Sequence, residues 1–390
     1  MISEFSFPTR IVFGNGSLRE VPNHLARLGA RRPLVVADAG IARSGLLARL
    51  TAVLEAAKVS YAVFDRVEPD PTEVDVEEGL RAYRDAACDA VVALGGGSPM
   101  DAAKGVRLRA AHPPPLAQYD DAKDGWRLVT HPLPPMIAIP TTAGTGSEVG
   151  RSFVVTLEET GRKTVIFSPS LLPSVAICDP ELTYDLPPRL TGATGMDALT
   201  HNLEALVAKG FHPLADALAV KGIALCARHL VRAVRDGHDA EARAQMMIAA
   251  ITGATAFQKG LGAAHALAHA ITPLAGVHHG LANSVVLPYV MEFNLGHATA
   301  AYAEAARAMG EQASETAGAA EGDEALARRA VERVRRMAKE SGLPDRLRDC
   351  GVTEALLPAI ADRAFEDASH LTNPRPVTRA DLEMLARAAY

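Results

Sequence analysis

The texture of the chain changes once, at Leu186-Pro187-Pro188, and that change limits the fold more than any single motif does. Upstream, short apolar runs alternate with helical patterns, as they do in βαβ units that build a largely parallel sheet. Strands are expected at Arg10–Phe13, Pro33–Asp38, Tyr61–Phe64, Ala90–Leu94 and Met136–Ile139. Further runs at Phe153–Leu157, Thr164–Phe167 and Ser174–Cys178 read as a hairpin and a return strand beside that sheet. From Arg189 to Tyr390, Ala, Leu and Arg recur at helical spacing with few β-branched runs, which predicts an all-α region. The expectation is an α/β domain over residues 1–187 followed by an all-helical domain over 188–390. The charged stretch from Ala298 to Lys339 reads as the solvated face of amphipathic helices.

Composition narrows the partners. With 390 residues, 48% hydrophobic and 22% charged, the chain can bury two cores without staples. A net charge of -6 with no basic stripe gives nucleic-acid binding little electrostatic basis. Cys88, Cys178, Cys226 and Cys350 are far apart, so neither a thiolate zinc site nor a disulfide framework is indicated. The opening Met1-Ile2-Ser3-Glu4-Phe5 lacks the cationic flank and apolar core of a leader, and no run approaches a membrane span. A cytoplasmic protein with a small-molecule partner is expected.

Two loops in the first half suit a nucleotide. The buried-strand pattern Ala90–Leu94 runs into Gly95-Gly96-Gly97-Ser98-Pro99, where glycines let the backbone approach a diphosphate. Ser98 can cap the next helix and Pro99 suits its first turn, so the helix N-terminus faces an anion. This is not the GxGxxG fingerprint, and a tight strand-to-helix turn is the alternative. Pro140-Thr141-Thr142-Ala143-Gly144-Thr145-Gly146 also follows a strand and offers hydroxyls and flexible backbone. Asp38 closes its strand, where a carboxylate either binds the ribose hydroxyls of NAD and repels a 2′-phosphate, or caps the following turn.

The second half carries a histidine cluster. Four of the thirteen histidines fall between His265 and His279; His265 and His269 share a helical face, and the following Thr272-Pro273 is expected to break the helix and let the chain return with His279. Asp197 and His201, again one helical turn apart, can complete a set of one carboxylate and three imidazoles with His265 and His279. That donor set suits a divalent transition metal, iron(II) or zinc(II), rather than magnesium.

In this order and at these separations, GGGSPMDAAK, PTTAGTGSEV, GMDALTH and the His265-x3-His269-x9-His279-Gly280 run resemble the iron-containing (group III) alcohol dehydrogenases. The likeness spans nearly the whole chain, from Phe7-Pro8-Thr9-Arg10 to Asn373-Pro374-Arg375. It implies a Rossmann-like dinucleotide-binding domain and a helical metal-binding and substrate domain, the dehydroquinate synthase-like fold, with the active site in the cleft between them. It also implies NAD, iron(II) first with zinc(II) as the alternative, an alcohol or aldehyde substrate, and a homodimer. By the same resemblance Asp197, His201, His265 and His279 match the metal ligands, and His269 matches a non-ligand histidine beside substrate and nicotinamide. Gly96, Gly97, Ser98, Asp101, Thr141, Thr142, Thr145, Lys163 and Leu182 match positions along the cofactor, with Asp38 at its ribose.

The chemistry implied is hydride transfer: a metal lowers the pKa of the alcohol it holds, and the nicotinamide takes the hydride. His269 either relays the proton or shapes the pocket. Gln258-Lys259-Gly260-Leu261-Gly262 is one residue shorter than the usual family run, and it is similar to the branch that includes 4-hydroxybutyrate dehydrogenases. Lys259 could pair with a substrate carboxylate or lie exposed at a helix end, and Gly150-Arg151-Ser152 also departs from the common pattern. A small primary alcohol or short hydroxy acid is the substrate expected. Competing readings are a glycerol dehydrogenase or a maleylacetate reductase-like enzyme, and, from another class, a non-catalytic structural or assembly protein with this fold.

Overall fold

The computed structural model describes Phe7, residues 9–312 and residues 319–390. Residues 1–6, Pro8 of the opening motif and residues 313–318 of the charged stretch lie outside the described residues. The chain packs as two compact units, Phe7–Thr142 with Gly146–Thr183 in one, and Ala143–Thr145 with Tyr184–Tyr390 in the other.

The first unit holds strands β1 (Arg10–Phe13), β2 (Pro33–Asp38), β3 (Ala62–Val67), β4 (Ala90–Gly95), β5 (Met136–Pro140), β6 (Ser152–Thr156), β7 (Lys163–Phe167) and β8 (Val175–Cys178). Its helices are α1 (Val21–Arg27), α2 (Ala39–Arg43), α3 (Leu46–Ala56), α4 (Glu73–Asp85) and α5 (Gly97–Ala111). Six strands pair in parallel in the order β1-β8-β5-β4-β2-β3. Alternate residues of one strand serve opposite faces: Val35, Val92, Leu94 and Ile137 pack with Leu50 and Leu54 of α3, whereas Leu34, Val36, Val91 and Met136 pack with Met100 and Val106 of α5. Burial on both faces is why these strands read as unbroken apolar runs.

Two expectations need correction, while the expected hairpin forms. The return strand β8 lies within the sheet, pairing with both β1 and β5, because its four residues are all buried. β3 starts one residue later than expected and runs on through Asp65 and Arg66 to Val67, since a sheet edge tolerates charges that hide a strand in sequence. The hairpin β6–β7 forms its own two-stranded sheet, with Phe153, Val155 and Ile166 turned inward toward Leu116, Tyr119 and Leu171.

The second unit is helical: α6 (Pro188–Val207), α7 (Pro213–Arg235), α8 (Ala240–Ala256), α9 (Ala263–Ala275), α10 (His279–Ala308, kinked at Ala298), α11 (Ala319–Glu340), α12 (Leu357–Glu366) and α13 (Arg379–Ala389). α6 is the central element, with every residue from Thr191 to Val207 buried among its neighbours. The Thr272-Pro273 pair does not end α9. Proline removes one backbone donor, yet the helix continues to Ala275 and stops at Gly276, whose φ of 66° is the left-handed conformation that glycine adopts freely. Among the described residues, no helix is long and apolar enough to cross a membrane.

Candidate functional site

α6 presents Asp197, His201 and Glu204 at steps of four and three, so the three lie on one helical face. Glu204 reaches the N-terminus of α9, where first-turn N–H groups have no partner within their own helix. One oxygen, Oε2, accepts from Gly262 N–H at 2.9 Å, and Oε1 accepts from Ala264 N–H at 2.8 Å. Glu204 Oε2 also lies 2.7 Å from His265 Nδ1. The approach requires glycine at 262, because a Cβ there would fall 2.6 Å from Glu204 Oε1 and 2.9 Å from Asn373 Oδ1. With Nδ1–H donated to a carboxylate, His265 keeps its lone pair on Nε2.

That nitrogen faces a group. Asp197, His265 and His279 bring one ligand atom each within 4.8 Å of one another. Asp197 Oδ1 lies 3.4 Å from His279 Nε2 and 3.8 Å from His265 Nε2. Asn283, one turn along α10 from His279, donates to Asp197 Oδ1 at 2.8 Å. His201 stands outside the converging three, its ring stacked on His265 with centroids 4.5 Å apart. His269 stacks on His279 at 5.1 Å, and His278 is the residue just before α10.

The electrostatics suit a cation. Burial pushes the Asp197 carboxyl up, but His201, His279 and His265 together outweigh it and hold the group well below the usual carboxylate range. Burial lowers His201 to about 4, against the pull of Asp197. His265 is also penalised by burial, yet its bond to Glu204 and the nearby carboxylates leave it raised. His265 Nε2 and His201 Nδ1 are buried without a hydrogen-bond partner. Buried polar atoms normally have one, so the orphaned Nε2 of His265, 3.8 Å from an ionised aspartate, fits a divalent metal.

In the α/β unit, the cofactor candidates fall into distinct settings. Gly95 has a φ of 151° and its Cβ would lie 2.6 Å from Pro99, so only glycine turns this corner. α5 begins at Gly97 with no side chain capping it, which leaves its first N–H groups for an anion. Gly96 faces Thr142, 3.4 Å from its would-be Cβ, and Thr141 N–H extends the β4–β5 pairing to Gly95. Ser98 does not cap the helix: it sits one residue inside it, and its hydroxyl accepts from Asp70 N–H at 3.3 Å. Asp70 pairs with Lys163, whose side chain is only 14% exposed, so its charge is already partnered. Asp38 caps α2 through Ile41 N–H at 2.8 Å, at the C-terminal end of β2 and next to β4, where the connections reverse direction across the sheet. Leu182 is buried in the sheet's apolar cluster, and Thr145 packs with the helical unit.

Asp101 has internal work. Its carboxylate accepts from Ser147 Oγ at 2.9 Å and Val154 N–H at 3.1 Å. The buried Lys104 donates to Ser147 O, Ser147 Oγ and Ser152 O, each at 2.8 Å. Burial lowers Lys104 to about 8 and raises the neighbouring Glu148, whose Oε1 has no hydrogen-bond partner, to about 7. As pH rises from the unfolded Glu value of 4.5 to about 7, the folded chain binds the extra proton, so stability falls through that window. Glu148→Gln should remove this component: the melting temperature of the variant, measured against wild type, gains ground as pH rises and holds it above about 7. Parallel pH profiles for the two proteins would refute it.

Sequence reasoning missed Glu204, although it lies on the Asp197–His201 face at the next helical step. Lys259 is also placed differently from either expectation. Its ammonium bonds Leu206 O at 3.0 Å and Asp216 Oδ1 at 2.5 Å and is 7% exposed, so its charge is already paired. Arg151 stacks over Phe167 at 5.4 Å.

Comparison with known proteins gives the same picture over the full length. The family described as iron-containing alcohol dehydrogenase matches residues 8–180, and its C-terminal counterpart matches 191–390. The 4-hydroxybutyrate dehydrogenase of Cupriavidus necator is 40% identical over 382 residues, covering 96% of each chain. The NAD-dependent methanol dehydrogenase of Bacillus methanolicus is 37% identical, covering 100% of both. A crystal structure of a 1,3-propanediol oxidoreductase superposes with a TM-score of 0.95 at 38% identity, covering 100% of both chains. The chain belongs to the iron-containing alcohol dehydrogenase family and is an oxidoreductase.

Proposed function

We propose that this chain interconverts a short primary alcohol, diol or ω-hydroxy acid with its aldehyde, using NAD and one divalent metal, iron(II) first and zinc(II) as the alternative. The observation that carries the reading is the convergence of buried Asp197 and His265 with half-buried His279, and the orphaned Nε2 of His265 that faces Asp197. Asp197, His201, His265 and His279 would hold the ion, which when bound supplies Lewis acidity to a hydroxyl or carbonyl oxygen.

The protein's own groups do the rest. Asp197 brings the negative charge, Asn283 fixes its oxygen, and Glu204 fixes the His265 tautomer. His269, beside the group without being one of the converging three, is placed to shape the substrate pocket or carry its proton. The open N-terminus of α5, with Gly96, Gly97, Ser98, Thr141 and Thr142 around it, is the reading's pyrophosphate site. Asp38 can offer its second oxygen to a ribose hydroxyl while it caps α2. Asp101, Thr145, Lys163 and Leu182 enter through the family resemblance alone; Asp101 and Lys163 act by holding the loops that line this site.

The substrate class rests on the relatives named for 4-hydroxybutyrate and 1,3-propanediol. Paired with Asp216, Lys259 gives no reason to single out a carboxylate. The cytoplasmic location and the homodimer implied by the resemblance belong to the same proposal, the latter checked by light scattering. The central test follows NADH on 4-hydroxybutyrate, 1,3-propanediol, butanol and glycerol, before chelation, after it, and after iron(II) or zinc(II) is returned. Turnover should vanish on chelation and recover with metal. No NAD-linked turnover on any alcohol or aldehyde would favour the non-catalytic reading.

A further inference from the structure

His269 touches two partners. Its ring stacks on His279, with planes 17° apart, and its Nδ1 lies 2.8 Å from Asp367 Oδ2, 98 residues further along the chain. Asp367 joins α12 to the 3₁₀ turn Ala368–Thr372, and its other oxygen, Oδ1, accepts from Ser369 N–H at 2.8 Å. The turn is pinned where it matters. Thr372 Oγ1 donates to the Leu261 carbonyl at 2.7 Å, and Lys209 N–H donates to the Thr372 carbonyl at 2.9 Å. Gly260, in the left-handed region at φ 138°, leaves room for it, since a Cβ there would fall 2.5 Å from Thr372 Oγ1. The carboxylate is thereby fixed to the segment that leads directly into α9, the helix that carries His269.

Burial opposes the charge on Asp367, but His269 and the bonds from Ser369 outweigh it and hold the group well below the usual carboxylate range. An ionised carboxylate has no proton to donate, so the ring nitrogen that faces it must carry one. The arrangement repeats, on the non-ligand histidine, what Glu204 does for His265.

We propose that Asp367 is a positioning residue for His269: it fixes the ring plane and the Nδ1–H tautomer, so that Nε2, across the ring, offers its lone pair to the substrate hydroxyl. The inference rests on the dehydrogenase reading, in which His269 lies beside the substrate. Geometry alone makes the tautomer part of it testable without turnover.

The experiment uses full-length enzyme loaded with zinc(II) and isotopically labelled at the histidine nitrogens, with His269→Gln to assign the signal. Nitrogen NMR of wild type should show Nδ1 protonated and Nε2 bare, and Asp367→Asn should populate the other tautomer. In the same variant, kcat should drop about 100-fold while KM for the alcohol changes by less than about threefold. Zinc content and melting temperature should stay at wild-type values, and Asp367→Glu should recover part of kcat. A wild-type His269 protonated at Nε2, or an Asp367→Asn enzyme with wild-type kcat, overturns the proposal. Absence of NAD-linked turnover in the wild type would sink the dehydrogenase reading instead, and the wild-type spectrum would still decide the tautomer.

Discussion

Asp197→Asn should abolish stoichiometric metal binding and lower kcat/KM by about 1,000-fold or more, the equivalent of the several kcal/mol that a bound cation contributes to a developing charge. The substitution keeps the shape and removes only the charge. Asp197 is 2% exposed and held ionised by the surrounding imidazoles, so it is the one anion among the proposed ligands. Asn283 donates to its Oδ1, and an asparagine carbonyl can still accept that bond. The fold should therefore survive, with His201 and His265 left facing a neutral amide. Metal analysis of anaerobically purified variant and wild type, paired with NADH kinetics, gives the answer. A variant that retains one metal per chain and wild-type turnover would place the metal elsewhere.

How much of this was legible in sequence depended on distance along the chain. The parallel strands were plain, because a strand buried on both faces is a continuous apolar run, as in Leu34-Val35-Val36-Ala37 and Ala90–Leu94. The run Ser174–Cys178 reads as lying beside the sheet instead of within it, because so short a stretch gives no sign of which strands it will join. Helical spacing brought Asp197 to His201 and His265 to His269, and the same rule reaches Glu204, one step further on the α6 face. No such rule reaches Asp367. Its partner lies 98 residues away and is met only because the turn at Thr372 docks on Leu261.

Charged residues were the least readable. Lys163 and Asp101 become ligand candidates only through the family resemblance, and Lys259 only as one of two readings, and each has an internal partner once the chain is folded. Sequence shows that a charge exists; tertiary packing decides what neutralises it. Lys259 is the clearest case, because Asp216 takes up a charge whose two sequence readings were a substrate carboxylate and open solvent.

Glu204→Gln should weaken metal binding by about 10- to 100-fold, the usual cost of disturbing a partner that orients a ligand, and also loosen the start of α9. The carboxylate accepts from Gly262 N–H, Ala264 N–H and His265 Nδ1 with two oxygens and donates nothing. A glutamine has one carbonyl oxygen and an amide that donates. If the oxygen keeps Gly262 and His265, the NH₂ group faces the Ala264 N–H, and one buried donor is left unsatisfied at about 1–3 kcal/mol. If the amide turns over, the NH₂ faces His265 Nδ1, which must then give up its proton, and the lone pair leaves Nε2. Either orientation harms the site, so both the zinc dissociation constant and the melting temperature of the zinc-free protein should move. Glu204→Asp separates the two effects: the charge and tautomer control persist, but the shorter side chain cannot span α6 to α9 as well. Zinc affinity should therefore suffer less in Glu204→Asp than in Glu204→Gln. Equal affinity in wild type and Glu204→Gln would mean that His265 needs no partner to present Nε2.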